Sequence, residues 1–158
     1  MSKLFSIEGI IQLATQVERN GKFFYDTLAR EIDDASVKEL FQQLAHAEEN
    51  HVRTFEDIME ASGTEKEGIL QTEDYYLGMN RLAGNYVFTE ENKGAEMAAQ
   101  IKDISQALEL AIGFEDQSIE FYTTMKEGFP EDAQKAIEAI IEQEHMHKKL
   151  LTERKNSL

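Results

Sequence analysis

The sequence predicts an all-α protein: a four-helix bundle of two repeated helical hairpins joined by a long crossover. Three observations predict it. Apolar residues recur at helical spacing over long stretches, and the 158 residues contain a single proline. The second half of the chain repeats the first. A shift of 97 residues sets Ile7 on Ile104, Ile11 on Leu108, Ala14 on Ala111, Glu18 on Glu115 and Tyr25 on Tyr122. A shift of 96 sets Val37 on Ala133, Phe41 on Ile137, Leu44 on Ile140, Glu48 on Glu144, His51 on His147 and Phe55 on Leu151. Finally, the connection inside each half is short, which makes its two helices antiparallel neighbours, whereas the connection between the halves is long.

The first helix is expected over about 6–32, with Ile7, Ile11, Ala14, Glu18, Gly21, Tyr25 and Leu28 in one stripe. Asp33 and Asp34 end it, and Ser36 with Glu39 reads as a capping box opening the second helix, about 36–61. Gly63 is its expected C-terminal cap. Residues 64–102 form the crossover, which must travel the length of the bundle, roughly 30–40 Å. Its residues Tyr75, Tyr76, Met79, Tyr86 and Phe88 are too apolar for a disordered linker and read as packing or dimer surface. Within it, 94–100 is either a short helix or an early start of the third helix, about 103–127, whose stripe is Ile104, Leu108, Ala111, Glu115, Ser118, Tyr122 and Met125. Gly128 and Pro130 punctuate the turn into the fourth helix, about 131–152, after which the end is expected to fray. The methionines, among them Met59, Met97 and Met146, read as core or interface fillers. All of this is expected to make one domain over 1–158.

Composition removes several function classes. No cysteine is present, so disulfides, thiolate metal sites, iron–sulfur clusters and thiol catalysis are excluded. A net charge of −15 argues against nucleic acid and anionic membranes as partners. Glu8 and Gln12 interrupt the apolar residues at the N-terminus, and no run approaches the ~20 residues of a membrane span. A cytoplasmic location is the expectation.

The chemistry lies in the repeated pair Glu48-x-x-His51 and Glu144-x-x-His147. Three residues turn a helix by about 300°, so each Glu and His share a face. Val37, Leu40, Phe41, Leu44, Phe55 and Ile58 place the first pair on the apolar face; Ala133, Ile137, Ile140 and Leu151 place the second there. Glu18 and Glu115 are the charged residues of the other two stripes. An unpartnered buried carboxylate costs at least several kcal/mol, so such a core needs cations. One Glu-x-x-His pair is weak evidence in so acidic a chain. A third, Glu142 with His145, lies about 200° around the helix from Glu144 and reads as solvated surface, as does His46. Four Glu and two His, inward and in register across two repeats, are a different matter. They suit two divalent ions, which neutralise the four carboxylates. Carboxylate with imidazole favours iron or manganese over copper, with zinc as an adventitious occupant. Tyr25 and Tyr122 share the inner face and are expected either to donate hydrogen bonds to the ligand carboxylates or to serve as core aromatics.

Glu18, Glu48-x-x-His51, Glu115 and Glu144-x-x-His147 together resemble the ligand set of the rubrerythrin-type members of the ferritin-like diiron-carboxylate superfamily. The resemblance covers the four helices. It implies that Glu48 and Glu144 bridge two iron ions, that Glu18 and Glu115 are terminal carboxylates, and that His51 and His147 bind one metal each. It further implies a non-haem diiron oxidoreductase that reduces hydrogen peroxide or dioxygen. Two departures bear on this. Rubrerythrins usually carry another Glu three residues before the third-helix ligand; here that position is Ile112, and its first-helix counterpart is Thr15. In this respect the six ligands are closer to the ferroxidase centre of bacterioferritin. The cysteines of a rubredoxin domain are also missing, so a peroxidase would draw electrons from a separate donor protein. Little chain follows Leu151, so the extra helix of cage-forming storage ferritins is not expected. The alternatives to a peroxidase or oxidase are an iron-handling ferroxidase and a metal-stabilised scaffold. A homodimer is the expected assembly.

Overall fold

Four long helices pair as two antiparallel hairpins in a computed structural model that describes residues 7–62, 74–75, 77–79, 81 and 93–158. They are α1 (Ile7–Glu31), α2 (Ala35–Ser62), α4 (Ile104–Met125) and α5 (Glu131–Asn156), with a short α3 (Lys93–Ala99) laid against α1. The seven stripe residues of α1 are all buried, and so are those of α4 except Ile104, which is half-buried at the helix start. Phe24, Phe41, Phe55 and Phe121 are fully buried between the helices, each contributing on the order of 1.5–3 kcal/mol by leaving water. Among the described residues no helix is long and apolar enough to cross a membrane.

The helix ends show where local chemistry acts. Asp34, not Ser36, caps α2. Its carboxylate accepts from the backbone N–H of Val37 at 3.0 Å, from that of Ser36 at 3.0 Å and from the Ser36 hydroxyl at 2.8 Å. A carboxylate at a helix N-terminus also meets the positive end of the dipole, an advantage Ser36 lacks. Ser36 instead accepts a 2.7 Å hydrogen bond from Arg154 Nη1, joining the start of α2 to the end of α5. The fourth helix runs beyond the expected 152 to Asn156; Arg154 and Lys155 in its last turn face the negative end of its dipole. The turn before it is a single 3₁₀ turn, Lys126–Gly128, held by the Phe129 N–H on Lys126 O and by Gln134 Nε2 on Phe129 O.

Of residues 94–100, all but Gln100 belong to a helix of their own, α3. After Ala99 the chain breaks, and Asp103 opens α4 by accepting from Gln106 N at 2.7 Å. Gly94 lets α3 touch α1: its N–H donates to Asn20 Oδ1 at 3.0 Å, and a Cβ there would stand 2.0 Å from the Asn20 carbonyl oxygen. This crossing buries Asn20, whose repeat counterpart Gln117 is exposed. Tyr75 and Met79 are both buried, and Tyr75 secures the crossover to the second hairpin, its hydroxyl donating to Met125 O at 2.7 Å. Gly63, Tyr76, Tyr86 and Phe88 lie outside the described residues. Of the methionines, Met146 lies outside the core; it is 58% exposed on the outer face of α5.

Candidate metal centre

All six inward Glu and His residues meet at the middle of the bundle. Glu18, Glu48, Glu115 and Glu144 are completely inaccessible to solvent, His51 nearly so, and His147 is 9% exposed. They form two overlapping groups, Glu18–Glu48–His51–Glu144 and Glu48–Glu115–Glu144–His147. In each group the candidate ligand atoms lie within 4.8 Å of one another. Glu48 and Glu144 are common to both groups, and these are the two carboxylates to which the sequence resemblance gives the bridging role.

The helical pitch explains the arrangement. Glu48 and His51, one turn apart on α2, project on one side; Glu144 and His147 do the same from α5. Glu18 and Glu115 complete the two ends from α1 and α4. Both imidazoles turn Nδ1 inward. His51 Nδ1 stands 2.9 Å from Glu144 Oε1, 3.4 Å from Glu18 Oε2 and 3.7 Å from Glu48 Oε2. His147 Nδ1 stands 3.3 Å from Glu144 Oε2, 3.8 Å from Glu115 Oε1 and 3.9 Å from Glu48 Oε1.

Tyr25 and Tyr122 are wholly buried, and each reaches across to the other hairpin. The Tyr25 hydroxyl of α1 donates to Glu115 Oε1 of α4 at 2.5 Å. The Tyr122 hydroxyl of α4 donates to Glu18 Oε1 of α1. The shared inner face shows that both tyrosines point inward; that each serves the carboxylate of the opposite repeat appears only in three dimensions.

Charge repulsion and burial govern protonation here. Burial, followed by the charges of Glu144 and Glu18, pushes the Glu48 carboxyl well above the usual carboxylate range. Burial and Glu144 do the same to Glu115. Glu144 goes the other way: burial alone would raise it, but the close approach of Glu115, His147 and His51 outweighs that and lowers it. Burial opposes the cationic form of His51; the Glu18 charge and the contacts to Glu144, Glu18 and Glu48 win, and its pKa rises. The two tyrosine hydroxyls are held protonated by burial first and then by the charge of the carboxylate each one meets. Burial and mutual repulsion thus favour the protonated forms of Glu48 and Glu115.

The donor set fits a pair of divalent ions. Glu18 Oε2, both oxygens of Glu48, Glu115 Oε2, Glu144 Oε1 and His51 Nδ1 are buried without a hydrogen-bond partner. The 2.9 Å approach of His51 to Glu144 is an ion-pair contact whose atoms do not line up as a hydrogen bond. Leaving so many buried oxygens unsatisfied is costly unless something else coordinates them. Oxygen and imidazole donors of this kind suit iron or manganese.

Comparison with known proteins agrees with this geometry. The Rubrerythrin family model matches residues 9–155. The chain belongs to the rubrerythrin family. No curated protein matches it. Among solved structures, one from Thermotoga maritima, described as a ferritin-like diiron-carboxylate protein, is similar with a TM-score of 0.77 at 26% identity. The match covers 99% of this chain and 98% of that one. The fold of this rubrerythrin-family chain is thus the ferritin-like bundle. Its Glu/His cluster is a candidate metal site of the kind that fold carries.

The remaining candidates fall outside the centre. Glu142, His145 and His46 are exposed. Ile112 is half-buried and Thr15 buried, so neither repeat supplies a seventh carboxylate. Sequence reading missed Gln143, whose Oε1 lies 2.7 Å from His51 Nε2. No periodicity marks it, because it lies off the inner stripe of α5 and is exposed.

Proposed function

We propose that this protein is a rubrerythrin-like non-haem diiron oxidoreductase that reduces hydrogen peroxide or dioxygen. The observation that carries the reading is the pair of overlapping four-residue groups, sharing Glu48 and Glu144, with buried carboxylate oxygens that no donor among the described residues satisfies. Glu48 and Glu144 would bridge two iron ions, Glu18 with His51 would complete one position, and Glu115 with His147 the other. Bound iron supplies the two electrons that cleaving an O–O bond requires. The chain's own residues do the rest. Tyr25 and Tyr122 each hold one oxygen of a terminal carboxylate, leaving the other free toward the centre. Glu48 and Glu115, whose proton affinity is raised, are the groups able to hold protons inside the site. Phe24, Phe55, Phe114 and Phe121 keep bulk water away from the core around it.

The partners of this reading are peroxide or dioxygen, a separate electron-donor protein and a second copy of the chain. The test is an anaerobic titration of metal-free protein with ferrous iron, followed by peroxide or air. About two tight equivalents per chain, oxidised by either oxidant and re-reduced by an added donor, is the expected result. Peroxide consumption that survives in both Glu48→Ala and His147→Ala refutes it.

A second reading is favoured by one observation: Ile112 and Thr15 stand where a seventh carboxylate would be. The same site would then oxidise iron and pass it on without peroxidase turnover. That reading requires many irons per chain and a large assembly on a sizing column.

A further inference from the structure

The two halves of the centre are built from repeated residues, yet they are not equivalent. Gln143 and Glu144, consecutive on α5, grip both nitrogens of the His51 imidazole on α2. Glu144 Oε1 lies 2.9 Å from Nδ1, and Gln143 Oε1 lies 2.7 Å from Nε2. An amide oxygen only accepts, so Nε2 must keep its hydrogen and Nδ1 is left to face the carboxylates. In the other half, the repeat counterparts of Gln143 and Glu144 are Ala47 and Glu48. Alanine has nothing to offer an imidazole, and Glu48 stands 3.9 Å from His147 Nδ1. The His147 side chain is also the more exposed of the two, 11% against 3%.

We propose that Gln143 is a positioning residue that makes the two half-sites unequal, holding His51 so that the Glu18–His51 half binds its divalent ion more tightly than the Glu115–His147 half. The inference rests on the dimetal reading above. An outer partner fixes the ring orientation and tautomer of a metal-binding histidine, and its loss typically weakens the metal about 10- to 100-fold. Only one half has such a partner at this position, so filling is sequential. Gln143 is exposed, and replacing it leaves the core packing intact.

The test uses Co²⁺, added to metal-free protein in competition with a chelator and read by calorimetry and visible absorption. The parent is expected to take up two ions in two resolved steps. Gln143→Leu lowers the affinity of the tighter step by about 10- to 100-fold and leaves the weaker step in place. Gln143→Glu, which keeps an acceptor at His51 Nε2, retains two resolved steps. In the Zn²⁺-loaded parent, the His51 Nε2 proton exchanges slowly by NMR, and Gln143→Leu removes that protection. The inference is overturned if Gln143→Leu binds like the parent, or if both of its steps weaken equally. Two ions bound in either case would leave the dimetal reading standing. A parent that binds fewer than two ions overturns both.

Discussion

Replacing Tyr122 by Phe removes one oxygen and little else. The ring keeps its packing on Phe55, at 5.2 Å between centroids, and on Phe121, at 5.7 Å. What disappears is the donor to Glu18 Oε1. Glu18 is fully buried, and its other oxygen already lacks a hydrogen-bond partner. Water cannot replace the lost hydroxyl at 0% exposure. A hydrogen bond to a charged group contributes about 1.5–3 kcal/mol. At 1.4 kcal/mol per decade, this predicts that divalent metal binding in the Glu18–His51 half weakens by roughly 10- to 100-fold. Tyr25→Phe acts on the opposite half, through the 2.5 Å bond to Glu115. The two half-sites share bridging residues, so the double variant need not be additive. The assay is anaerobic ferrous titration against a competing chelator, with parallel melts of the metal-free proteins. If Tyr122→Phe follows the parent's binding curve, the crossed tyrosines do not support a metal centre. A fall in the metal-free melting temperature alone would then mark them as core hydrogen bonds only.

Four further expectations follow from the same structure. Gly94→Ala and Gly113→Ala should differ in sign: the first forces a Cβ to 2.0 Å from a backbone oxygen of Asn20, costing about 1–3 kcal/mol or more, whereas the second meets nothing within 4 Å inside α4 and gains about 0.5–1 kcal/mol. Thermal melts of the two variants measure the difference. Metal uptake should release protons, because Glu48 and Glu115 have raised proton affinity without metal; affinity therefore rises with pH, and calorimetry in buffers of different ionisation enthalpy counts the protons. Saturation to 100 times the dissociation constant should stabilise the fold by about 2.7 kcal/mol, and chelation should reverse it. Asp34 has a lowered pKa because the Val37 N–H, then the Ser36 hydroxyl, hydrogen-bond its ionised form. The unfolded chain binds that proton more readily, so the cap's contribution is present above the ordinary aspartate pKa and is lost as pH falls through the lower folded value. Melts between about pH 5 and pH 2 should show a shallower acid dependence in Asp34→Ala.

Most of the architecture is legible in the sequence. Helical spacing assigns a direction to each side chain around its own axis, and that is enough to recognise four inward stripes and a repeat. The six Glu and His residues stood out because charged side chains on an apolar stripe demand a compensating partner. Legibility failed where the answer depended on something outside one helix. Arg154, 118 positions from Ser36, takes the Ser36 hydroxyl as an acceptor, while Asp34 supplies the α2 cap. The break after Ala99 and the packing of α3 on α1, where Gly94 meets Asn20, separate this short helix from α4.

The sequence by itself determined the bundle, the twofold repeat, the thiol-free donor set and the inward placement of six ionisable residues. Periodicity measures an angle about a single helix, and these properties are such angles repeated. The tertiary structure alone decided that Tyr25 serves Glu115 and Tyr122 serves Glu18, that Glu48 and Glu144 belong to both groups, and that Gln143 holds His51 while Ala47 leaves His147 without an equivalent. Those are relations between helices. They depend on the axial register and rotation of one hairpin against the other, and a repeat in sequence leaves both of these open.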